Sequence, residues 1–278
     1  MTKTWLITGS SRGFGRELAR AVLETGDRLV ATARKPEQLD DLVAEYGDRV
    51  RAVALDVTDP AAARTAVSAA VTAFGRLDVV VNNAGYANSA PIEEMPDDDF
   101  RAQIDANFYG VVNVTKAALP VLRAQRSGVV VQFSSIGGRV GGSPGLGAYQ
   151  AAKFAVEGFS EVLANEVAPF GVHVLIVEPG AFRTDWAGSS MRVDAVGPDY
   201  EESVGAMNRR RSDSATWPGD PARAAKIIID VVGRPDAPRR LILGAAAVDL
   251  AARSSAERAA EAEKWAEVSR SADFPPGE

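Results

Sequence analysis

The 278-residue sequence predicts a single α/β domain over residues 1–278, built on a doubly wound parallel sheet of about seven strands. Three observations carry this. Short apolar runs recur along the chain, and most are apolar at consecutive rather than alternate positions, as in "LDVVVNNA" and "VHVLIVEP". Strands covered on both faces have this pattern, which implies a parallel sheet between helical layers. Segments of helical length separate the runs, giving repeated β-α units with right-handed crossovers. No linker, repeat or low-complexity tract divides the chain, and 46% hydrophobic residues suffice for a sizeable core.

The predicted strands are Thr4–Thr8, Arg28–Ala33, Val50–Val57, Leu77–Ala84, Gly128–Ser135, Val172–Pro179 and Arg239–Gly244. Between them lie predicted helices such as Gly13–Thr25, Pro60–Phe74, Asp97–Gln125 and Ala148–Ala168. Asp59-Pro60 and Asp220-Pro221 each place an aspartate and then a proline at a helix start. Residues 181–219 are long and irregular, hold Trp186, Met191, Tyr200, Met207 and Trp217, and suggest a substrate lid. Residues 245–278 form a C-terminal helical extension, polar and Ala-rich from Ala245 to Arg270.

Composition narrows the function. A net charge of −6 gives no basic bias toward nucleic acid or an anionic membrane. No run of 18 apolar residues could span a bilayer. The N-terminus enters a strand pattern without a signal-peptide core, so a cytoplasmic location is expected. There is no cysteine, and the one histidine, His173, lies in an apolar strand pattern. No metal site is expected, a thiolate nucleophile is excluded, and His173 is assigned a structural role.

The first candidate site is "TGSSRGFG", Thr8 to Gly15, which follows the first strand and opens the first helix. Gly9, Gly13 and Gly15 permit a tight turn and let main chain approach a pyrophosphate at the positive end of a helix. Ser11, Arg12 and Phe14 belong to the same turn. In the first βαβ unit this is the place of a Rossmann-type dinucleotide site. An NAD site usually carries an acid at the end of the second strand, for the ribose hydroxyls. Here that strand ends in Ala33, followed by Arg34. With Arg12 in the glycine turn, two guanidiniums suit a 2′-phosphate, so NADP(H) is expected over NAD(H). Asp56, with Val57 beside it, ends the third strand, where its carboxylate could accept from the adenine amino group.

The second candidate is "YQAAK". Tyr149 and Lys153 are four residues apart, so on a helix they share one face. Alone, the pair is equally a surface tyrosine packed on a lysine stem. Chemically, a free tyrosine pKa near 10 is too high for proton exchange at neutral pH, and lowering it by about 3 units takes roughly 4 kcal/mol. One ammonium about 4 Å away, at an effective dielectric of about 20, supplies about that much. Lys153 would suffice, with no histidine needed.

Six stretches, in order and over about Lys3 to Ala187, resemble the short-chain dehydrogenase/reductase family. They are "TGSSRGFG", "NNAG" at Asn82–Gly85, Asn107 in "DANFYG", "QFSS" at Gln132–Ser135, "YQAAK" at Tyr149–Lys153 and "EPGAFRT" at Glu178–Thr184. Within the family the chain is similar to NADP(H)-dependent bacterial reductases akin to retinol and hydroxysteroid dehydrogenases. The resemblance implies hydride transfer between NADP(H) and a carbonyl or secondary alcohol. It implies that Ser135 hydrogen-bonds the substrate oxygen, that Tyr149 is the acid/base, and that Lys153 lowers the tyrosine pKa and binds the nicotinamide ribose. Asn107 would hold a helix kink and a proton-relay water. The stretch Asn82–Gly85, with Asn83, Ala84 and Gly85 in the cofactor site, would support the central strand and touch the adenosine ribose. Pro179, Gly180, Phe182 and Thr184 would border the carboxamide, nicotinamide or pyrophosphate. Pairing into a homodimer or homotetramer would use Asp97–Gln125 and Ala148–Ala168.

There are two departures from the family. Phe14 stands where isoleucine or leucine is commoner, and the Ser135–Tyr149 segment is one residue longer than usual, which bears on Ser135 against Ser134. The expected substrate wall is Ala87–Ile92, Val140–Leu146 and residues 181–219, with Phe182, Trp186, Met191 and Trp217 in reach. It is mainly apolar, which predicts an apolar or aromatic ketone or aldehyde, while Arg183, Arg192 and Arg209–Arg211 leave room for an anionic group. Two alternatives are a catalytically silent NADP(H)-binding sensor and an isomerase or dehydratase of the same family. The joint presence of Asn107, Ser135, Tyr149 and Lys153 favours a reductase over a sensor.

Overall fold

The computed structural model describes residues 2–184, 190–212 and 216–274. Trp186, assigned above to the substrate wall, lies outside them. Seven strands form one parallel sheet: β1 Thr4–Ile7, β2 Arg28–Ala33, β3 Val50–Ala54, β4 Val79–Asn82, β6 Gly128–Phe133, β7 Val172–Pro179 and β9 Arg240–Leu243. Their order across the sheet is β3-β2-β1-β4-β6-β7-β9. All seven predicted strands are present, and the fold is a single Rossmann-type α/β domain.

The apolar runs are explained by the two layers they serve. Trp5, Ile7, Val79, Val81, Leu175 and Val177 face a core with α1 (Gly13–Glu24), α2 (Asp40–Tyr46) and α8 (Pro221–Val232). Leu6, Val80, Val130 and Val174, at the alternate positions of these strands and β6, face a second core with α3 (Pro60–Phe74), α5 (Gly110–Gln125) and α6 (Gly147–Val167). Alternate side chains of a strand point to opposite faces, so burying both demands unbroken apolarity.

Several strands end sooner than predicted. β1, β3, β4 and β6 stop at Ile7, Ala54, Asn82 and Phe133. The residues just beyond, including Gly9, Asp56, Asn83 and Ser135, leave the ladder at the carboxyl edge of the sheet. The predicted helix Asp97–Gln125 is also interrupted. α4 (Asp97–Ile104) passes into a π-helical turn at Asp105–Tyr109 before α5 begins. Inside the expected lid, β8 (Met191–Val193) pairs in parallel with β5 (Ala87–Ser89), and α7 (Ala206–Arg211) follows. Strands of three residues are too short for periodicity to reveal.

α9 (Ala245–Lys264) and α10 (Ala266–Arg270) form the C-terminal extension. Only the start of α9 packs inward, through buried Ala247 and Ala251, while Trp265 and Val268 are exposed. No helix of the described residues is long and apolar enough to cross a membrane.

Candidate active site

The chain leaves β1 toward β2 on one side and later places β4 on the other. Ligands of open α/β sheets bind in the crevice at such a reversal. Thr8 organises it. Its hydroxyl donates to the carbonyl of Val81 at 3.2 Å and accepts from the N–H groups of Asn83 and Ala84 at 2.9 and 3.0 Å. Asn83 in turn donates from Nδ2 to the carbonyls of Thr8 and Gly9. Its side chain therefore braces the glycine turn from β4, a role its sequence position did not reveal. Gly15 is required by packing, since a Cβ there would overlap the Gly9 carbonyl and stand 2.5 Å from Asn83 Nδ2.

α1 starts at Gly13 with no side-chain cap and no acid in its first turn. Its first N–H groups and positive dipole end thus remain available to an anion. Gly13 has a left-handed φ of 56°, and a Cβ on it would lie 3.7 Å from Thr184. The segment after β7 therefore closes on the turn from the other side. This cradle fits a dinucleotide pyrophosphate. Phe14 packs on Phe133 and Phe182, with ring centroids 5.6 and 4.9 Å away. An aromatic residue thus fills the usual aliphatic place.

Ala33 is buried at the end of β2, and Arg34 follows it, exposed; Arg12 is also exposed. Asp56 Oδ1 accepts from the amide and hydroxyl of Thr58 at 3.0 and 2.7 Å. Those bonds, with a contribution from the Arg34 charge, hold the Asp56 carboxyl below its ordinary pKa. Asn113 donates to the Val57 carbonyl at 3.0 Å, tying the end of β3 to α5.

Tyr149 and Lys153 lie in the first two turns of α6, both buried. Lys153 Nζ donates to the carbonyl of Phe133 at 2.7 Å and lies 5.7 Å from the Tyr149 ring centroid. Burial pushes the Lys153 ammonium down to about 8, and the negative charge of Glu157 works against that. Ser135 Oγ accepts from Gly137 N–H at 3.0 Å, which leaves its proton free to donate. Ser134 also borders the cavity, but its Oγ is buried, so of the two hydroxyls Ser135 is the accessible one.

Asn107 sits in the π-helical turn. Its Nδ2 donates to the carbonyls of Gln103 and Tyr86 at 2.9 Å each, and its Oδ1 accepts from Tyr86 N–H at 3.1 Å. A side chain that takes the carbonyl four residues back competes with the helix ladder and accounts for the break. Gly85 lies between this residue and the lysine. A Cβ on it would overlap Asn107 Oδ1 and lie 3.9 Å from Lys153 Nζ.

These groups border a cavity of about 480 Å³. Asn107, Ser135, Tyr149 and Lys153 share it with Phe14, Pro179, Gly180, Phe182 and Thr184. Val140 to Ser143 and Leu146 line it as expected, and so do Met207 and Trp217. The expected Ala87–Ile92 wall does not. Ala87 and Met191 of the small sheet are buried behind Tyr149, and Ile92 is exposed. Tyr200 hydrogen-bonds Glu93 on the surface. Leu250 of α9 also lines the cavity, a contribution from some 100 residues after Tyr149 that no local pattern announced.

Two buried polar clusters lie beside these residues. Asn82 Nδ2 donates to Gln132 and Thr115 at 2.8 and 3.0 Å, bridging β4, β6 and α5. Below Lys153, Arg240 Nε reaches buried Glu157 and Glu178 at 3.1 Å each. Burial raises both carboxyls, and Arg240 and Arg139 oppose the rise. His173 is 3.4 Å from the Pro238 carbonyl at the opposite edge of the sheet.

A profile of the short chain dehydrogenase family matches residues 3–193. The chain is 52% identical over 271 residues to Oxidoreductase BOA17 of Botryotinia fuckeliana, covering 97% of this chain and 98% of that one. It is 41% identical over 200 residues to the 3-ketodihydrosphingosine reductase of Bacteroides thetaiotaomicron, covering 71% of each. A short-chain dehydrogenase structure from Streptomyces avermitilis has a TM-score of 0.91 at 42% identity, covering 98% of this chain and 100% of that one. Also similar are two cofactor complexes, each covering 87% of this chain and 96% of the other. One is the Thermococcus sibiricus alcohol dehydrogenase with 5-hydroxy-NADP (TM-score 0.70, 27% identity). The other is the Brucella melitensis 3-ketoacyl-(acyl-carrier-protein) reductase with NADH (TM-score 0.72, 26% identity).

Proposed function

The chain belongs to the short-chain dehydrogenase family, and from that premise we propose that it interconverts an apolar or aromatic ketone or aldehyde with its alcohol, using NADP(H). It is an oxidoreductase of that family with a nicotinamide cofactor. The observation that carries the proposal is the buried Tyr149–Lys153 pair bordering the cavity, with the accessible Ser135 hydroxyl on the same cavity.

When bound, the nicotinamide cofactor would supply the hydride for the carbonyl carbon. Ser135 donates to the carbonyl oxygen, where negative charge develops. Tyr149 gives that oxygen its proton, completing the alcohol. Lys153 stabilises the phenolate left behind until solvent reprotonates it. Asn107 acts at one remove, by holding Gly85 and Tyr86 against the lysine. The main chain of Gly9, Ser11, Gly13 and Gly15 would take the pyrophosphate, and Arg12 and Arg34 the 2′-phosphate. Asp56, Val57 and Ala84 would border the adenosine.

Two relatives are named for the reduction of 3-keto compounds, which supports a ketone substrate. Residues 181–219 serve as the lid in this reading, and the start of the 245–278 extension completes the wall. Assembly as a homodimer or homotetramer is in keeping with exposed Tyr109, Phe154 and Val162 near or on α5 and α6. The test is NADPH consumption against a panel of apolar ketones and aldehydes. Tight NADPH binding with no carbonyl reduced would sink the reductase reading.

A further inference from the structure

We propose that Arg211 receives an anionic group, a carboxylate, at the end of the substrate remote from the reacting carbonyl. For the carbonyl end this rests on the reductase reading; for the anion it stands on its own. Arg211 is the last residue of α7 and borders the same cavity as Tyr149 and Ser135. Its guanidinium reaches the loop that joins those two residues. Nη2 donates to Ser143 Oγ at 2.7 Å and to the Pro144 carbonyl at 2.8 Å. Nη1 makes two longer contacts of 3.4 Å, to Ser89 Oγ and Asn208 Oδ1.

All four acceptors are neutral. Other arginines of this region have carboxylates: Arg209 pairs with Glu201, and Arg192 with Asp99 and Asp194. Arg211 is more buried than either, yet no carboxylate of the described residues pairs with it. Burial lowers its pKa to about 10. A desolvated cation without a counter-ion is costly, and an anion brought by a ligand would offset that cost.

The cavity lining points the same way. Among the described residues its charged members are Lys153 and Arg211, and no described Asp or Glu borders it. Val140, Leu146, Met207 and Trp217 contribute apolar lining. A ligand with its carbonyl at Ser135 and Tyr149, an apolar middle and a carboxylate at the far end matches this distribution. The planar guanidinium fork also suits a carboxylate better than a point charge would. The arginines assigned to the 2′-phosphate, Arg12 and Arg34, belong to the glycine turn and the end of β2, so they do not compete for this role.

The test compares para-acetylbenzoate with para-acetylbenzamide, which differ in charge and little in shape. Calorimetry is done on protein saturated with oxidised cofactor, where no reduction can occur. The benzoate should bind about tenfold or more tightly than the benzamide, the scale of a hydrogen bond to a charged group. In Arg211→Gln the ratio should fall toward one, and Arg211→Lys should retain part of it. Equal affinities in the unaltered protein, or an unchanged ratio in Arg211→Gln, would overturn the assignment and leave Arg211 a clamp on the loop. The unaltered-protein comparison holds even if a variant fails to fold.

NADPH-dependent reduction of the same pair separates the two readings. Neither ketone reduced, with benzoate still bound through Arg211, would sink the reductase reading and keep the anion site. Both reduced with equal kcat/KM, alongside equal affinities, would do the opposite.

Discussion

Lys153 donates its side-chain nitrogen to the main-chain carbonyl oxygen of Phe133 across 2.7 Å. The bond joins the second turn of α6 to the last residue of β6, one residue before the Ser134-Ser135 pair. It holds the nitrogen on the cavity side of the sheet, 5.7 Å from the Tyr149 ring centroid. The same burial that fixes the lysine lowers its pKa to about 8, so its charge is lost as pH rises through that value.

The reductive kcat should therefore fall as pH rises through about 8 and the ammonium is lost. Glu157 supports the charged form, so Glu157→Gln should move that basic limb to lower pH. For stability the sign is opposite. A lysine pKa depressed from 10.5 favours the neutral form in the fold, so this group adds stability as pH climbs from about 8 toward 10.5. A kcat–pH profile of the variant that overlays that of the parent would remove Glu157 from this role.

Tyr149→Phe should lower kcat/KM for carbonyl reduction by about 10²–10⁴, the usual contribution of a positioned acid/base. NADPH binding, followed by nucleotide fluorescence, should survive. Full turnover in this variant would show that the proton comes from elsewhere.

Arg34→Ala should weaken NADPH by about 10- to 100-fold, the scale of charged hydrogen bonds at 1.5–3 kcal/mol. NADH should change little, because it lacks the 2′-phosphate. Parallel losses in two titrations would overturn the assignment of the phosphate to Arg34.

Gly15→Ala should destabilise the fold by about 1–3 kcal/mol, because the added methyl meets main-chain oxygen with no void to accept it. Urea denaturation would register this as a lower midpoint at an unchanged slope. A variant as stable as the parent would mean that the β1–α1 turn shifts freely.

Arg240→Met should cost about 3–5 kcal/mol at neutral pH, since it leaves buried Glu157 without its paired cation and buried Glu178 with Arg139 alone. Both glutamates already have raised pKa values from burial. The deficit should shrink as pH falls and they become neutral. Thermal melts at acid and neutral pH would reveal this; a deficit independent of pH would point to lost packing instead.

Much of the fold and the cofactor cradle is legible along the chain because the signals are local. Strands buried on both faces must be apolar at consecutive positions, and Gly9, Gly13 and Gly15 mark one continuous turn. Tyr149 and Lys153 are neighbours by helical period alone. The break at Asn107 was implied by the resemblance and not by periodicity, because that side chain takes the Gln103 carbonyl while also bonding Tyr86, 21 residues away. The β5–β8 pair was invisible because each strand has three residues, with about a hundred between them.

By itself, the sequence determined the α/β class, the order of strands and helices, the phosphate turn, the missing acid at Ala33 and the tyrosine–lysine pair. Periodicity and nearest-neighbour chemistry dictate each of these. Only the tertiary structure decided that Ser135 rather than Ser134 keeps an accessible hydroxyl, and that Leu250 joins the wall. It also decided that Ala87–Ile92 stays off the cavity, with Ala87 packed against Tyr149, and that Arg211 meets the cavity without a described carboxylate to pair with it. Those outcomes depend on burial and on contacts between distant segments, and a side chain's solvation and partners are set by the packed whole.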